Sequence, residues 1–426
     1  MTTTKNNEHK KLNFPNEQEQ SQACLNSAEH EKNQGRKVLN VPNLRFPEFQ
    51  GKWEYFLIND VCSEFKSGKN IKADSVFECG EYPVYGGNGL RGYTSSYNHE
   101  GSYVLIGRQG ALCGNVRSVY GKTYITEHAI AVAGNEKSNT SFLHYLFLKM
   151  NLGQYSDQSA QPGLAVNKLL KLKVALPIIS EQTKIAKLLS LLDERISTQS
   201  KIIEDLKKLK SAIVEKVFCS PNQEYPMCRI EGFEQALSTY KMSDFSSRIA
   251  TKNKDSKCSL VLTIAAQYGL VNQESFFNKS VASENLTGYY LLHKGEFAYN
   301  RSYSAGYDWG TVKRLDNYDQ GVLSTLYICF KINETIVDSD YLAYYFESTK
   351  WHRGLSDIAG EGARNHGLLN VSITDYFNTK HRFPVIEEQK AIAKMLNTIT
   401  EKERKATLLG ECYQKQKQYL LRQMFI

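Results

Sequence analysis

The sequence has no run of about 18 apolar residues, the length at which a helix begins to span a bilayer, so nothing in it reads as membrane-crossing. It has no C-x-x-C pair. Its nine cysteines, an odd number, are scattered, which argues against a disulfide scaffold or a zinc site and fits free thiols in a reducing cytoplasm. Catalytic motifs are missing as well. There is no G-x-x-x-x-G-K-[ST] phosphate loop, no G-x-G-x-x-G leading from a strand into a helix, and no Asp/Asn-Pro-Pro-aromatic stretch of the amino-methyltransferase kind. The nine histidines show no H-E-x-x-H and no Cys/His ligand spacing, so no metal site is expected. Residues 1–37 are rich in Asn, Glu, Gln and Lys and lack an apolar segment, so they read as a disordered polar arm and not as a signal peptide.

What is present begins with a repeat. Leu176 to Phe218 reads LPIISEQTKIAKLLSLLDERISTQSKIIEDLKKLKSAIVEKVF, and Phe383 to Phe425 reads FPVIEEQKAIAKMLNTITEKERKATLLGECYQKQKQYLLRQMF. The offset is 207 residues without a gap, matching Pro177 to Pro384, Glu181-Gln182 to Glu388-Gln389 and Phe218 to Phe425. A period of half a chain means two copies of one large unit. Each copy opens with Pro, as helices often do. Ile185, Leu189, Leu192, Ile196, Ile203 and Leu206 space out as a heptad seam interrupted at Gln199 and Lys210. The second copy keeps Ile392, Leu396 and Ile399 but places Glu403, Gly410 and Lys417 at seam positions. Two such helices in one chain most simply pack on each other.

Around the helices lie two divergent regions of the same layout. Residues 38–175 open on VPNLRFPEFQGKWE and continue as short glycine-punctuated β runs, the helical SFLHYLFLKMNL and a polar loop. Residues 219–382 repeat that order with little identity: KGEFAYNRSYSAG stands where GSYVLIGRQG stood, and GTVK echoes GNVR. The expected architecture is therefore α+β with an internal repeat: an arm (1–37), a domain of irregular twisted sheet plus helices (38–175), a long helix (176–218), a second such domain (219–382) and the second long helix (383–426). Tyr85-Gly86-Gly87-Asn88-Gly89 reads as a tight turn, and His128 as a strand histidine.

Binding chemistry is concentrated in the glycine-bearing loops. Arg91, Arg108, Gln109, Arg117, Gln158 and Gln161 fall in the first region, and Asn300, Arg301, Lys313, Arg314, Arg364 and Asn365 in the second. Arg pairs with guanine and Asn or Gln with adenine, while Ser, Tyr and backbone amides hold phosphate. Ordinary surface loops are the competing reading for any single residue, but parallel placement in both halves favours a double-stranded DNA interface. The net charge of +8 is compatible with that without demanding it.

With those residues in view, the chain resembles the specificity (S) subunit of Type I restriction–modification systems. The resemblance rests on VPNLRFPEFQGKWE, on the two LP-I-x-x-EQ-x-x-IA-x-x-L-type helices at Leu176 and Phe383, and on YPVYGGNGLRGY…GSYVLIGRQG…TYITEHAIAV. It covers residues 38–426. It implies two target-recognition domains, each reading one half of a split, asymmetric DNA site, separated by two long antiparallel, coiled-coil-like helices in a pseudo-two-fold arrangement. It further implies two modification (methyltransferase) subunits that bind S-adenosylmethionine, and two ATP- and Mg-dependent restriction subunits. This chain itself would be non-catalytic and without a cofactor. A stand-alone DNA-binding regulator of the same architecture is the alternative, and a nuclease with an unrecognised site is a third reading. Neither explains why the helices repeat closely while the domains diverge.

As a helix, Glu181 to Phe218 spans roughly 57 Å, about 17 base pairs of B-DNA. If helix length sets the gap between half-sites, inserting one helical turn at Ser200 lengthens that gap, as read by mapping the methylated motif. An unchanged gap would refute the ruler.

Overall fold

The computed structural model describes residues 40–156, 163–278, 285–302, 306–358, 364–365, 368–369 and 371–426. The chain forms two units. One runs to Asp193 and takes in Lys415–Ile426; the other is Glu194–Gln414.

The first unit contains β1 (Glu54–Leu57), β2 (Cys62–Ser67), β3 (Tyr82–Gly86), β4 (Gly89–Thr94), β5 (His99–Gly107), β6 (Val116–Ile125), β7 (Ala129–Gly134) and β8 (Lys173–Leu176). Six of them form one sheet in the order β2-β7-β5-β6-β3-β4, antiparallel except for β3 beside β6. β7 reads AIAVAG, and its first four residues are fully buried, as an uninterrupted apolar run in a central strand should be. The helix Thr140–Met150 is capped by the Asn139 side chain, which accepts from the Phe142 amide at 3.1 Å. Phe142, Leu143, Leu146 and Phe147 bury its inner face in the same core as Val104, Ile106 and Val132 of the sheet. β1 and β8 pair separately, beside the start of the long helix.

The second unit contains β9 (Ser238–Lys241), β10 (Ser246–Arg248), β11 (Leu262–Ala265), β12 (Gly269–Asn272), β13 (Tyr290–His293), β14 (Phe297–Asn300), β15 (Thr311–Arg314), β16 (Gln320–Leu323), β17 (Ile328–Ile332), β18 (Arg364–Asn365), β19 (Leu368–Leu369) and β20 (Lys380–Phe383). Its main sheet runs β10-β17-β14-β15. That is the order β2-β7-β5-β6 again, and β9–β20 repeats the pair β1–β8. Where the first unit adds β3 and β4 to its sheet, the second has two separate antiparallel pairs, the hairpin β11–β12 and the non-sequential pair β13–β16. The expected mixed architecture with an internal repeat is thus the observed one.

The two long helices are Ile179–Val217 and Ile386–Gln423. The turn that opens each is tied down in the same way. Glu181, fully buried, holds Arg45 by two hydrogen bonds of 2.7 Å. Glu388, 1% exposed, holds Arg229 at 2.9 and 2.7 Å. The neighbouring glutamine ties the domain helix: Gln182 Oε1 accepts from the Asn139 amide at 2.8 Å, and Gln389 Oε1 accepts from the Asp338 amide at 2.9 Å, Asp338 being the cap of the helix Ser339–Tyr345. The far ends are buried too. Phe425 stacks on Phe142 at 5.1 Å in the first unit, and Phe218 meets Tyr341 at 5.0 Å in the second.

At its ends the seam between the helices runs into a domain core. Ile185 and Leu189 belong to the core of the first unit, with Trp53 and Phe142, and Ile392 and Leu396 belong to that of the second, with Tyr341 and Phe383. The same cores take in the far end of the other long helix, Leu420 and Met424 in the first unit and Ile213 and Val217 in the second, so these turns share a core with both the domain and the other helix. Leu192 is buried, whereas Ile196, Ile203, Leu206 and Ile399 are half-buried. The polar interruptions find partners instead. Gln199 donates to the Ala406 carbonyl at 2.9 Å, Lys210 lies 3.6 Å from Glu403, and Lys417 lies 2.5 Å from Asp193. Low-numbered residues of one helix thus meet high-numbered residues of the other, so the pair is antiparallel. Gln199 and Ala406 are each other's repeat equivalents.

Two outcomes are expected. A Cβ on Gly410 would lie 3.5 Å from Gln199 Cγ and 3.6 Å from Ile203 Cδ1, ordinary contact distances. Gly410→Ala should therefore raise stability by about 1 kcal/mol in urea unfolding, through helix propensity; a decrease would mean that the helices cannot accept a methyl group there. The second outcome concerns acid. His381, hydrogen-bonded to the Tyr345 hydroxyl at 3.0 Å and to Thr379 Oγ1 at 2.9 Å, is pushed down to about 3 by burial. Burial, with Lys417 nearby, pushes His144 down to about 4. Unfolded chains protonate these rings near pH ~6.5, so their contribution is whole above that pH and is lost toward pH ~3, by up to about 1.4 kcal/mol per pH unit per ring. The urea midpoint should fall across this window, and His381→Gln should make the fall shallower.

Candidate nucleic-acid interface

In the first unit, four stretches far apart in sequence meet at one end of the sheet: the β3–β4 turn, the loop after β5, the turn before β7 and Gly163-Leu164. Their backbones are laced together. The Thr126 amide donates to the Tyr85 carbonyl at 2.9 Å, Arg108 to His128 at 3.0 Å, and Leu164 to Arg108 at 2.9 Å. Gly87 must be glycine here, since a Cβ would sit 2.6 Å from the His128 carbonyl oxygen. The expected tight turn is that β3–β4 connection.

This convergence collects Arg91, Arg108, Gln109 and Arg117. Arg91 and Arg117 are exposed, the stem of Arg91 lying beside Gly86 and the guanidinium of Arg117 beside Gly89. Arg108 is half-buried and donates once, to Ser67 Oγ at 3.1 Å, leaving its other N–H groups without a protein acceptor among the described residues. Gln109 is exposed, with Oε1 3.2 Å from His128 Nδ1. His128 therefore lies in a turn, not in a strand, and orients the amide of Gln109. Three guanidiniums and one amide at a loop surface are groups that can meet both base edges and phosphates. Gln158 and Gln161 lie outside the described residues.

The second unit treats the corresponding positions differently. Arg301 occupies the place of Arg108, its carbonyl accepting from the Leu369 amide at 3.0 Å as that of Arg108 accepts from Leu164. Its guanidinium, however, donates to the Val371 and Leu326 carbonyls at 3.1 and 3.2 Å and holds the loop together. Arg314 is bound by Asp316 at 2.6 Å, Asp340 at 2.7 Å and Ser339 at 2.8 Å. These two arginines are engaged by partners of their own unit. The Asn300 carbonyl oxygen of the side chain accepts from the Ser302 amide at 3.0 Å. Lys313 lies 3.9 Å from Glu347, outside hydrogen-bonding range. Arg364 and Asn365 form β18, paired to β19. The outward-facing groups that sequence reasoning missed are Gln267 and Tyr268, exposed at the tip of the β11–β12 hairpin, Tyr268 at 67%. Their signal was the turn AQY between the apolar runs LTIA and GLVN.

Among the described residues no group of three or more His, Cys, Asp or Glu could hold a metal ion, and no helix is long and apolar enough to cross a membrane. Asp193 and Glu204 pair with Lys417 and Lys208, at 2.5 and 2.6 Å.

Comparison with known proteins agrees with this picture. Residues 50–208 match the family model of the Type I restriction modification DNA specificity domain. The chain is 42% identical over 153 residues to the Type I restriction enzyme EcoprrI specificity subunit of Escherichia coli, an alignment covering 35% of this chain and 37% of that one. It therefore spans little more than a third of that relative's length. A putative type I restriction enzyme specificity subunit of Haemophilus influenzae is 23% identical over 366 residues, 82% of this chain and 89% of the other. The crystal structure of the S subunit of a Type I restriction-modification system from M. genitalium shares the fold, with a TM-score of 0.60 at 15% identity over 91% of this chain and 99% of that one. Residues 50–208 are thus similar to the Type I restriction modification DNA specificity domain, and the chain shares its fold with a solved S subunit.

Proposed function

We propose that this chain is the non-catalytic subunit that selects the DNA target of a Type I restriction–modification complex. Each unit reads one half of a bipartite, asymmetric site. The complex is completed by two modification subunits, with S-adenosylmethionine, and two restriction subunits, with ATP and Mg. The observation that carries the reading is the contrast within the repeat. The helix clamps, glutamine ties and sheet order recur in both units, while the loops that face outward differ in nearly every side chain. A scaffold that meets like partners twice, carrying loops that meet unlike DNA sequences, has this pattern.

The direct test is to express the chain with its neighbouring modification subunit in a host lacking adenine methylation and to map N6-methyladenine. A bipartite motif with a fixed gap is expected. A soluble, DNA-binding protein that directs no methylation would favour a stand-alone regulator. Within that assay, Arg108→Ala should relax one position of one half-site, a loss of about 1–3 kcal/mol. Arg301→Ala should instead lower the unfolding midpoint, since it strips two backbone carbonyls of their donor. Equal weakening on all sequences by Arg108→Ala would move that residue to a phosphate-binding role.

A further inference from the structure

The loop after the third strand of each main sheet turns beneath the domain helix and leaves a cleft, and the two clefts occupy the same place in the repeat. Gly310 (φ +75°) stands where Gly114 (φ +85°) does, and both are pinned against backbone. Phe346 and Glu347 stand where Phe147 and Leu148 do. Lys313, opposite Ala298, stands where Arg117 is paired with Leu105.

Their chemistry is unlike. The cleft of the first unit, 320 Å³, is lined by residues such as Leu112, Cys113, Phe147 and Leu148 and has no charged side chain. That of the second unit, 620 Å³, gains a wall from the hairpin tip with Gln267 and Tyr268, and another from the long helix with Lys207 and Lys210. Three lysines, Lys207, Lys210 and Lys313, face Glu347 and Glu403 there. Burial pushes the His352 imidazole pKa down. The nearest lysine–carboxylate distances, 3.6 and 3.9 Å, are too long for hydrogen bonds. Lys210 and Lys313 are therefore ion-paired with a carboxylate without a hydrogen bond to it. Lys207 is exposed, with no ion pair or hydrogen bond among the described residues.

We infer that this cleft holds the sugar–phosphate backbone of duplex DNA, as a one-sided, sequence-independent contact of the second unit. The inference rests on the proposed function. Lysine is a compact point charge suited to phosphate, without the planar fork that selects a base edge. Three of them converge from a helix and a strand beside an exposed tyrosine and an exposed amide. The uncharged equivalent in the first unit makes the contact asymmetric along the DNA.

The test is the salt dependence of binding by the full chain, with a fluorescein-labelled mixed-sequence duplex of about 40 base pairs, since each phosphate contact contributes about 0.9 to the slope of log affinity against log salt. Lys207→Gln with Lys313→Gln should make the slope shallower by about 1.8. It should weaken binding equally on mixed-sequence and motif-bearing duplexes, and leave the methylated motif unchanged. Lys207→Arg with Lys313→Arg should restore the slope. Thermal unfolding of each variant establishes that it is folded, and Lys207→Gln alone, at a solvent-facing position, should still remove about 0.9. An unchanged slope in folded variants, or a loss confined to one sequence, overturns the cleft while leaving the proposed function standing. A wild-type chain that binds no duplex overturns both.

Discussion

Two buried carboxylates hold this architecture in place. Glu181 and Glu388 sit in the first turns of the long helices, almost wholly out of water. A carboxylate there is tolerable only if it is paired and hydrogen-bonded, and removing its partner is expected to cost several kcal/mol. The partner is an arginine from the segment leading into each domain, and it also donates to the backbone of that segment, to Gly51 and to Gln235. The adjacent glutamine reaches the cap of the domain helix and the Pro carbonyl that precedes its own helix. Two consecutive residues thus tie the lead-in, the domain helix and the long helix into one joint. Outside that joint the outward-facing loops are free to change without disturbing how a domain meets its helix.

The seam between the helices follows a related logic. Its apolar residues are only half-buried along the middle, and register there is set by unlike pairs: an amide on a carbonyl, a lysine on a glutamate, a lysine on an aspartate. Leucine or isoleucine at all of these positions would permit sliding by a heptad, whereas a misregistered lysine would face carbon. The seam is therefore specified more than it is strengthened.

Much of this was legible in the chain because repetition is visible without alignment. Glu181-Gln182 and Glu388-Gln389 are identical, and the helices follow from spacing. Their purpose was not legible. Arg45 and Arg229 lie 136 and 159 residues before their glutamates, and the segments around them, LRFPEF and CRIEGF, have diverged until little but the arginine remains. At Ile185, Leu189, Ile392 and Leu396 periodicity gives the apolar face but not the domain residues that share the core with it. The loop arginines show the same limit. Arg108 and Arg301 are equivalent and alike in sequence context, yet one turns outward and the other closes a loop. What separates them is the position of two carbonyls contributed by residues far along the chain.

Phe425 is buried with Trp53 and Phe142 in the core of the first unit, and Lys415–Ile426 belongs to that unit although the whole of Glu194–Gln414 lies between. On the ribosome the order of manufacture is consequently the reverse of the order of completion. The second unit has all of its parts as soon as Gln414 has emerged. The first, synthesised earlier, waits with an open aromatic socket until the segment that fills it follows. Nascent chains commonly fold domain by domain from the N-terminus; this one must finish its opening domain last.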